Sequence, residues 1–369
     1  ILLFHFYGSS ILSGIGRLVD LASAFFTFRR ALIAYLLYVL LWLSISYLMK
    51  NEAQLSNWND QYPLILGNER TQDRPWQGIV QQLYISNRAL SDKEVAHLFM
   101  GDSAINSGHV VASYDFTGDS ADNFPVLDGM GPGPIQTTSD GVILSQTQWL
   151  QSDQPAAAIS QALASSSQFT LELTAAANDL TQAGPARLIS ISEDPYRRNL
   201  TVGQEETGLV FRLRTPLTGL NGRQPELVIP RVFTDQAFHR IVITYNGVVV
   251  HFYIDNPAND FAIELIPSTA IFTKSFPYEV AQMRINHGNM FIFRLLYSML
   301  IFVPLSLLAV IGSQSTENKK KLFGLAIGLI VFALLWELLL SLVISGYGLR
   351  VSNVMLNWGV TAVSFLFMR

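Results

Sequence analysis

The amino-acid sequence predicts a multi-domain membrane protein in which an all-β sandwich or jelly roll is inserted between transmembrane α-helices. Three observations predict it. Of the 369 residues 50% are hydrophobic and only 14% are charged, against about 25% charged in an ordinary soluble domain. The mean hydropathy is +0.30, yet the chain holds 25 glycines and 15 prolines, so the average conceals two kinds of segment. The long apolar stretches lie at the two ends, and between them the hydrophobic period changes from helical to two.

Residues 1–30 come first. Ile11, Ile15, Leu18, Ala22 and Phe25 form one helical stripe, and Ser13, Arg17, Asp20 and Thr27 form another. That pattern fits an amphipathic helix lying in the membrane interface; the other reading is the remainder of an upstream span. No basic region precedes the apolar run, which argues against a cleaved signal peptide. Ala31 to Met49 is free of charge and long enough to cross a bilayer, which takes about 20 helical residues. Further spans are expected at about 291–312, 322–344 and 351–368; the second of these three carries Glu337 and the last carries Asn353 and Asn357. Arg29 and Arg30 precede the first span, and Lys319, Lys320 and Lys321 separate two of the others. By the positive-inside rule both clusters are cytoplasmic, which puts residues 50–289 outside.

Within 50–289 the apolar segments shorten and alternate. In Phe169 to Thr174 the Phe and Leu side chains face one way and Thr, Glu and Thr the other; Leu209 to Arg214 places Phe211 and Leu213 inward, Arg212 and Arg214 outward. Arg240–Tyr245 and Val248–Ile254 flank Asn246-Gly247, a strong hairpin signal. Two helical pieces interrupt the strands: Ser91 to Met100, with Ser91 and Glu94 spaced as a capping box, and Pro155 to Ala164. Many short strands joined by Gly/Pro turns indicate a two-sheet sandwich or jelly roll.

Composition narrows the chemistry. A net charge of -4, without a clustered basic face, argues against nucleic acid as a partner. With 0 Cys, disulfide scaffolds, Cys zinc sites and thiol nucleophiles are excluded. The 6 His show no metal-ligand spacing, and no nucleophile elbow, P-loop or dinucleotide fingerprint is present. Arginine is the denser signal: Arg187, Arg197, Arg198, Arg212, Arg214, Arg223 and Arg231 share a stretch that lacks Lys. Guanidinium groups bind carboxylate or phosphate bidentately, so Arg198, Arg212, Arg214 and Arg223 are candidate ligand contacts, with Trp76 and Tyr84 as stacking platforms for a sugar. Against this, Glu193, Asp194, Glu205, Glu206 and Glu226 lie in the same region and could neutralise the arginines as ion pairs. Within the spans Glu337 is costly in lipid and calls for a partner; Arg350, Asn353 and Asn357 could complete an intramembrane polar cluster, either as a structural clasp or as a ligand or proton site.

Two segments carry family resemblances. Trp76-Gln77-Gly78-Ile79-Val80, followed by Leu83 to Ser91 and Glu94-Val95, resembles the closing signature of laminin G-like, concanavalin A-like jelly rolls, and His239 to Asp255 is similar to their penultimate hairpin. The order is reversed, since the closing-like strands precede the opening-like Val111 to Gly118. The resemblance implies either a circularly permuted single jelly roll, the favoured reading, or an incomplete domain beside a separate strand pair. It also implies carbohydrate binding, with hydrolysis disfavoured because no Glu-x-Asp-x-x-Glu run occurs, and a calcium site for which Asp115, Asp119 and Asp122 are weak candidates. Gly184–Ser192, Arg198–Gln204 and Phe211–Gly222 look like blocks of jelly rolls fused to VanZ-like proteins.

Glu337-Leu338-Leu339, Gly348-Leu349-Arg350, Asn353 and Leu356-Asn357-Trp358-Gly359 resemble the end of VanZ-like membrane proteins. Leu340 stands where that family has Gln, and Asn353 where it has Asp. This resemblance implies a bacterial protein of the cytoplasmic membrane, multi-pass, with the β-domain on the extracytoplasmic side. The expected function is display of a domain that binds an envelope glycan or peptidoglycan, without catalysis. The alternatives are a membrane enzyme or transporter working through the Glu337 cluster, and an adhesion or assembly module that binds a protein partner.

Overall fold

In the computed structural model, residues 28–101, 107–118, 125–275, 284–314 and 319–367 are described. The chain divides into two units, Asn51–Met290 and a second made of Ile1–Lys50 with Phe291–Arg369. The expected interfacial segment, residues 1–30, lies almost wholly outside the described residues. Helix α1 (Phe28–Met49) begins at its end.

The unit Asn51–Met290 is a β-sandwich of two sheets. One runs in the order β16 (Arg284–Ile285), β12 (Glu226–Ile229), β11 (Gly208–Leu213), β10 (Arg197–Glu205), β9 (Ala186–Asp194), β1 (Leu64–Leu66), β7 (Trp149–Ser152), β4 (Leu127–Met130). The other runs β15 (Asn256–Glu264), β14 (Val249–Ile254), β13 (His239–Tyr245), β8 (Phe169–Ala177), β2 (Gly78–Ser86), β6 (Gly141–Leu144), β5 (Gln136–Thr138), with β3 (Val110–Asp115) also paired to β2. Period-two alternation gives each sheet an apolar inner face. Leu171 pairs with Ile243, and Ile243 with Phe252. Across the sheets the Phe211 ring meets Phe252 edge-on at 5.4 Å and Phe169 at 6.4 Å. Each such ring, fully buried, contributes about 1.5–3 kcal/mol, so this ladder of aromatics is what clamps the two sheets.

The segments that carry the laminin G-like resemblance, apart in sequence, are neighbours in one sheet: β3, β2, β8, β13 and β14. These strands therefore belong to one sandwich. The expected hairpin is present, with its turn one residue on. Asn246 N–H donates to the Val249 carbonyl at 3.3 Å, and Gly247, at φ +93°, takes the first central position, where a side chain would be strained.

Thr170, Glu172 and Thr174, expected outward on β8, do face away from the aromatic core, yet all three are buried. The cover is the segment that follows β2. Thr170 Oγ1 donates to the Arg88 carbonyl at 2.7 Å and accepts from Leu90 N–H at 3.0 Å. Helix α2 (Asp92–Phe99) then lays Val95 and Leu98 on Val242 and Tyr253. Its start is fixed by the expected capping box, Ser91 with Glu94. Glu172 is buried with Arg240 at 2.6 Å; burial pushes its carboxyl above the usual range and Arg240 opposes that. The second expected helix is α3 (Ala157–Ser166), and a further short one, α4 (Ser268–Ser275), follows β15.

In the second unit α5 (Met290–Gln314), α6 (Lys319–Val343) and α7 (Val351–Phe367) follow the expected spans closely. Arg29–Met49, His287–Ile311 and Gly324–Val343 are long and apolar enough to cross a membrane, and α7 is a shorter apolar helix. Aromatic side chains pack these helices together: Trp42 meets Tyr297 at 5.8 Å, and Phe332 lies 6.0 Å from Phe302 and 6.3 Å from Tyr35. The large apolar side chains left exposed, among them Leu36, Leu40, Leu335 and Leu342, suit a lipid surround rather than water.

Candidate functional site

The sequence marks Arg198, Arg212, Arg214 and Arg223 as ligand contacts, and two of the four, Arg198 and Arg212, are buried beside glutamates. Arg198 is fully buried on β10, with Nη1 donating to Thr201 Oγ1 at 3.1 Å and Nη2 to the Pro195 carbonyl. Burial, with Arg187 and Arg212 beside it, pulls its guanidinium down to about 9, still protonated at neutral pH. Glu69 lies 3.9 Å from Arg198 and 3.3 Å from Arg187. Arg212 is paired with Glu226 at 2.5 Å, and Glu226 also takes Arg284 at 2.8 Å. Arg223 is half-buried and adds its positive charge near Arg212. Arg212 leaves β11 on the face opposite Phe211, as alternation requires, whereas Arg198 pairs with Ser192 beside a register shift in β10 that precedes Leu200. The error lies in equating an outward strand position with solvent: Arg198 and Arg212 are buried, and Glu69 and Glu226 meet part of their charge from within the protein. Glu226 is one of the neutralising carboxylates that the sequence indicates, and Glu69 was not among them.

Trp76 is likewise a core residue, fully buried with Nε1 donating to Gln204 Oε1 at 2.8 Å, and cannot stack on a sugar. Tyr84 is half-buried on β2, opposite Ser113 and Glu172. Asn199, which heads an Asn-Leu-Thr sequon, is buried too and is structural.

Arg214 differs from Arg198 and Arg212. It stands just past β11, is 9% exposed, and enters none of the ion pairs found among the described residues. Its Nη1 is 3.4 Å from the Tyr62 hydroxyl and its buried Nε has no hydrogen-bond partner. It lines an open polar cleft of about 490 Å³ with Asn57, Trp58, Asn59, Asp60, Gln61, Ser160 and Gln161. The walls are held from behind. Trp58 Nε1 donates to the Arg214 carbonyl at 2.8 Å, and Asn199 clamps Asn59 by accepting from its N–H at 2.9 Å and donating to its carbonyl at 2.6 Å. On the rim, Asp60 accepts from Gln61 at 2.8 Å and from Gln161 at 2.7 Å, and these amides hold its carboxyl below the usual range. Sequence reading missed this wall because Asn51 to Tyr62 has neither strand nor helix period. Its signal was compositional: a run of amides around one Trp.

Of the calcium candidates, Asp119 and Asp122 lie outside the described residues. Asp115 accepts from Thr117 N–H at 2.9 Å and Oγ1 at 2.6 Å, closing the turn after β3. Among the described residues no three His, Asp or Glu side chains converge as a metal group.

Of the expected polar cluster in the helices, Glu337 and Asn353 meet through their side chains. Glu337 on α6 is 1% exposed. Asn353 Nδ2 donates to Glu337 Oε1 at 3.1 Å and to the Tyr347 hydroxyl at 2.8 Å. The Tyr347 hydroxyl and the Arg350 N–H also bond to the Glu337 carboxyl, and Arg294 on α5 acts on it electrostatically. Arg350 thus contributes its backbone, while its guanidinium lies 5.3 Å from the Tyr347 ring centre. Asn357 is buried, and its described hydrogen bond is through its carbonyl, from Thr361 Oγ1 at 2.7 Å. Tyr347 and Arg294 were not assigned to the cluster from sequence, although Arg294 shows as the one charge interrupting its apolar span.

Compared with known proteins, the chain matches no family model, no curated protein and no solved structure.

Proposed function

We propose that this is a multi-pass protein of the bacterial cytoplasmic membrane that displays a laminin G-like, concanavalin A-like jelly roll on the extracytoplasmic side to bind an envelope glycan. The observation that supports it best is topological. The closing-like strand β2, the opening-like strand β3 and the β13–β14 hairpin, the pieces that carry the resemblance, share one sheet of one sandwich, as a circularly permuted jelly roll requires. The test is a glycan array and peptidoglycan pull-down with the full chain in lipid nanodiscs, with and without calcium. Saturable carbohydrate binding is expected. A chain that captures a protein partner but no glycan is an adhesion or assembly module instead.

Orientation has its own test, made simple by the absence of Cys. Tyr196 is 74% exposed on the sandwich. A Tyr196→Cys variant is expected to react with a membrane-impermeant maleimide added outside cells, and protection until lysis reverses the topology.

A second reading, a membrane enzyme or transporter, is favoured by one observation: a carboxyl buried among polar partners in the helical unit, where polar groups are expensive and usually functional. On that reading Glu337→Gln abolishes cellular function while glycan binding stays intact.

A further inference from the structure

We infer that the cleft between Asn57–Gln61, Gln161 and Arg214 is the carbohydrate site of the sandwich and that it takes a sugar bearing a carboxylate, with Arg214 as the anion anchor. This rests on the glycan-binding reading above and assigns it a place and a ligand class.

The case for Arg214 comes from its contrast with its neighbours. Arg187, Arg198 and Arg212 each lie near a buried glutamate, two of them sharing Glu69, whereas Arg214, two residues beyond Arg212 and 9% exposed, faces none among the described residues. A buried cation is costly unless paired. Here the pairing partner is missing on the side where the protein leaves an open cavity, large enough at about 490 Å³ for one or two sugar rings on the scale of ordinary ligand pockets. A carboxylate entering the cleft gains charge-assisted hydrogen bonds from the guanidinium.

The remaining lining is suited to the rest of a sugar. Asp60 has its carboxylate held in place by the amides of Gln61 and Gln161, so its remaining lone pairs face hydroxyl donors at no further ordering cost. Asn57 and Asn59 offer amide groups, and Trp58 is fixed by its bond to the Arg214 carbonyl, presenting apolar surface against the C–H face of a ring. The cleft thus has two poles, hydroxyls directed to Asp60 and the carboxylate to Arg214. That arrangement fixes the orientation of a uronic acid and leaves an uncharged ring without its anchor.

The experiment uses the full chain in nanodiscs and, as probes, short oligomers of galacturonic and glucuronic acid, each paired with its methyl ester, which keeps the shape and removes the charge. Binding of at least one acid is expected, falling about tenfold or more on esterification, as loss of a charged contact predicts. Arg214→Gln should abolish the difference between acid and ester. Because Arg214 is buried and its replacement threatens folding, Gln161→Glu on the exposed face of α3 is the second variant. It should weaken acid binding more than ester binding, since it adds a negative charge to the cleft as well as removing the amide that holds Asp60. Equal affinity for acid and ester overturns the anchor role, and acid binding indifferent to both Gln161→Glu and Trp58→Ala overturns the site; either result leaves the glycan-binding reading standing. If no acid, ester or array glycan binds at all, both fall together.

Discussion

In the sandwich, Arg187, Arg198 and Arg212 are buried against Glu69 and Glu226; in the helical unit, Glu337 is buried against the Asn353 amide, the Tyr347 hydroxyl and a backbone N–H. The first region neutralises charge with opposite charge, and the second surrounds one carboxyl with neutral donors, a single guanidinium acting from nearby. The difference follows from how each fold presents partners. Adjacent strands place long side chains side by side about 5 Å apart on one face, so a row of arginines on β9 to β11 reaches carboxylates on β12 and on the loop that follows β1. A helix end opens onto backbone N–H groups and turn residues, and the corner between α6 and α7 brings Tyr347, Arg350 and Asn353 to one carboxyl. The two regions should therefore respond differently when one partner is removed.

The largest effect is expected in the sandwich. Glu226→Leu strands Arg212 in a buried site and should cost about 3–5 kcal/mol of stability, the usual result of leaving a buried charge unpaired. Arg284, 44% exposed, can turn to water, so the double variant Glu226→Leu with Arg212→Met should recover most of the loss. Denaturant unfolding of the full chain in detergent measures both. A double variant as unstable as the single would mean that the pair is valued for packing and not for charge, which would break the comparison.

A smaller effect is expected in the helices. Asn353→Ala removes donors to both Glu337 and Tyr347 and should cost about 1–3 kcal/mol, the penalty for unsatisfied buried polar groups. Glu337→Gln keeps an acceptor oxygen for Asn353 and should cost under about 1 kcal/mol. If Glu337→Gln destabilises as strongly as Glu226→Leu, Arg294 is a true ion-pair partner and the two regions follow the same rule.

How much of this was legible depended on whether a residue's fate is set by its own period. The spans could be read because length and apolarity alone make them, and α1, α5, α6 and α7 begin and end within a few residues of expectation. The hairpin, the capping box and the inward face of β8 are local as well. The outer faces could not be read. Alternation tells which way Arg212 points and says nothing of what covers it, and at Arg198 a register shift in β10 breaks the alternation itself. Trp76 failed for the same reason, since an aromatic reads alike in a core and on a platform. The Arg214 cleft was half legible: the arginine was marked, but Asn57 to Gln61 reach it through tertiary hydrogen bonds from Asn199 and to Arg214 itself, which no pattern encodes.

The smallest effect extends the comparison to a charge left at the surface. Glu94 closes the capping box of α2, accepting from Ser91 N–H at 2.8 Å and from Arg88 at 2.6 Å, and is 37% exposed. The Ser91 N–H first, and then Arg88, hold its carboxyl down to about 2 from an ordinary 4.5. Because the folded value is depressed, the stabilisation is fully present above about 4.5 and is lost as pH falls toward about 2. Solvent screening at this exposure limits it to about 1 kcal/mol or less. Wild type should therefore exceed Glu94→Gln by that amount at pH 7, with the gap closing as the solution is acidified, while Ser91→Ala loses about 1 kcal/mol at every pH through the missing cap. Amide exchange in α2, followed from neutral pH into the acid range, reads this directly. A gap that stays constant with pH would mean that the carboxylate acts here as a hydrogen-bond acceptor alone, and that charge matters only where the sandwich has shut out water.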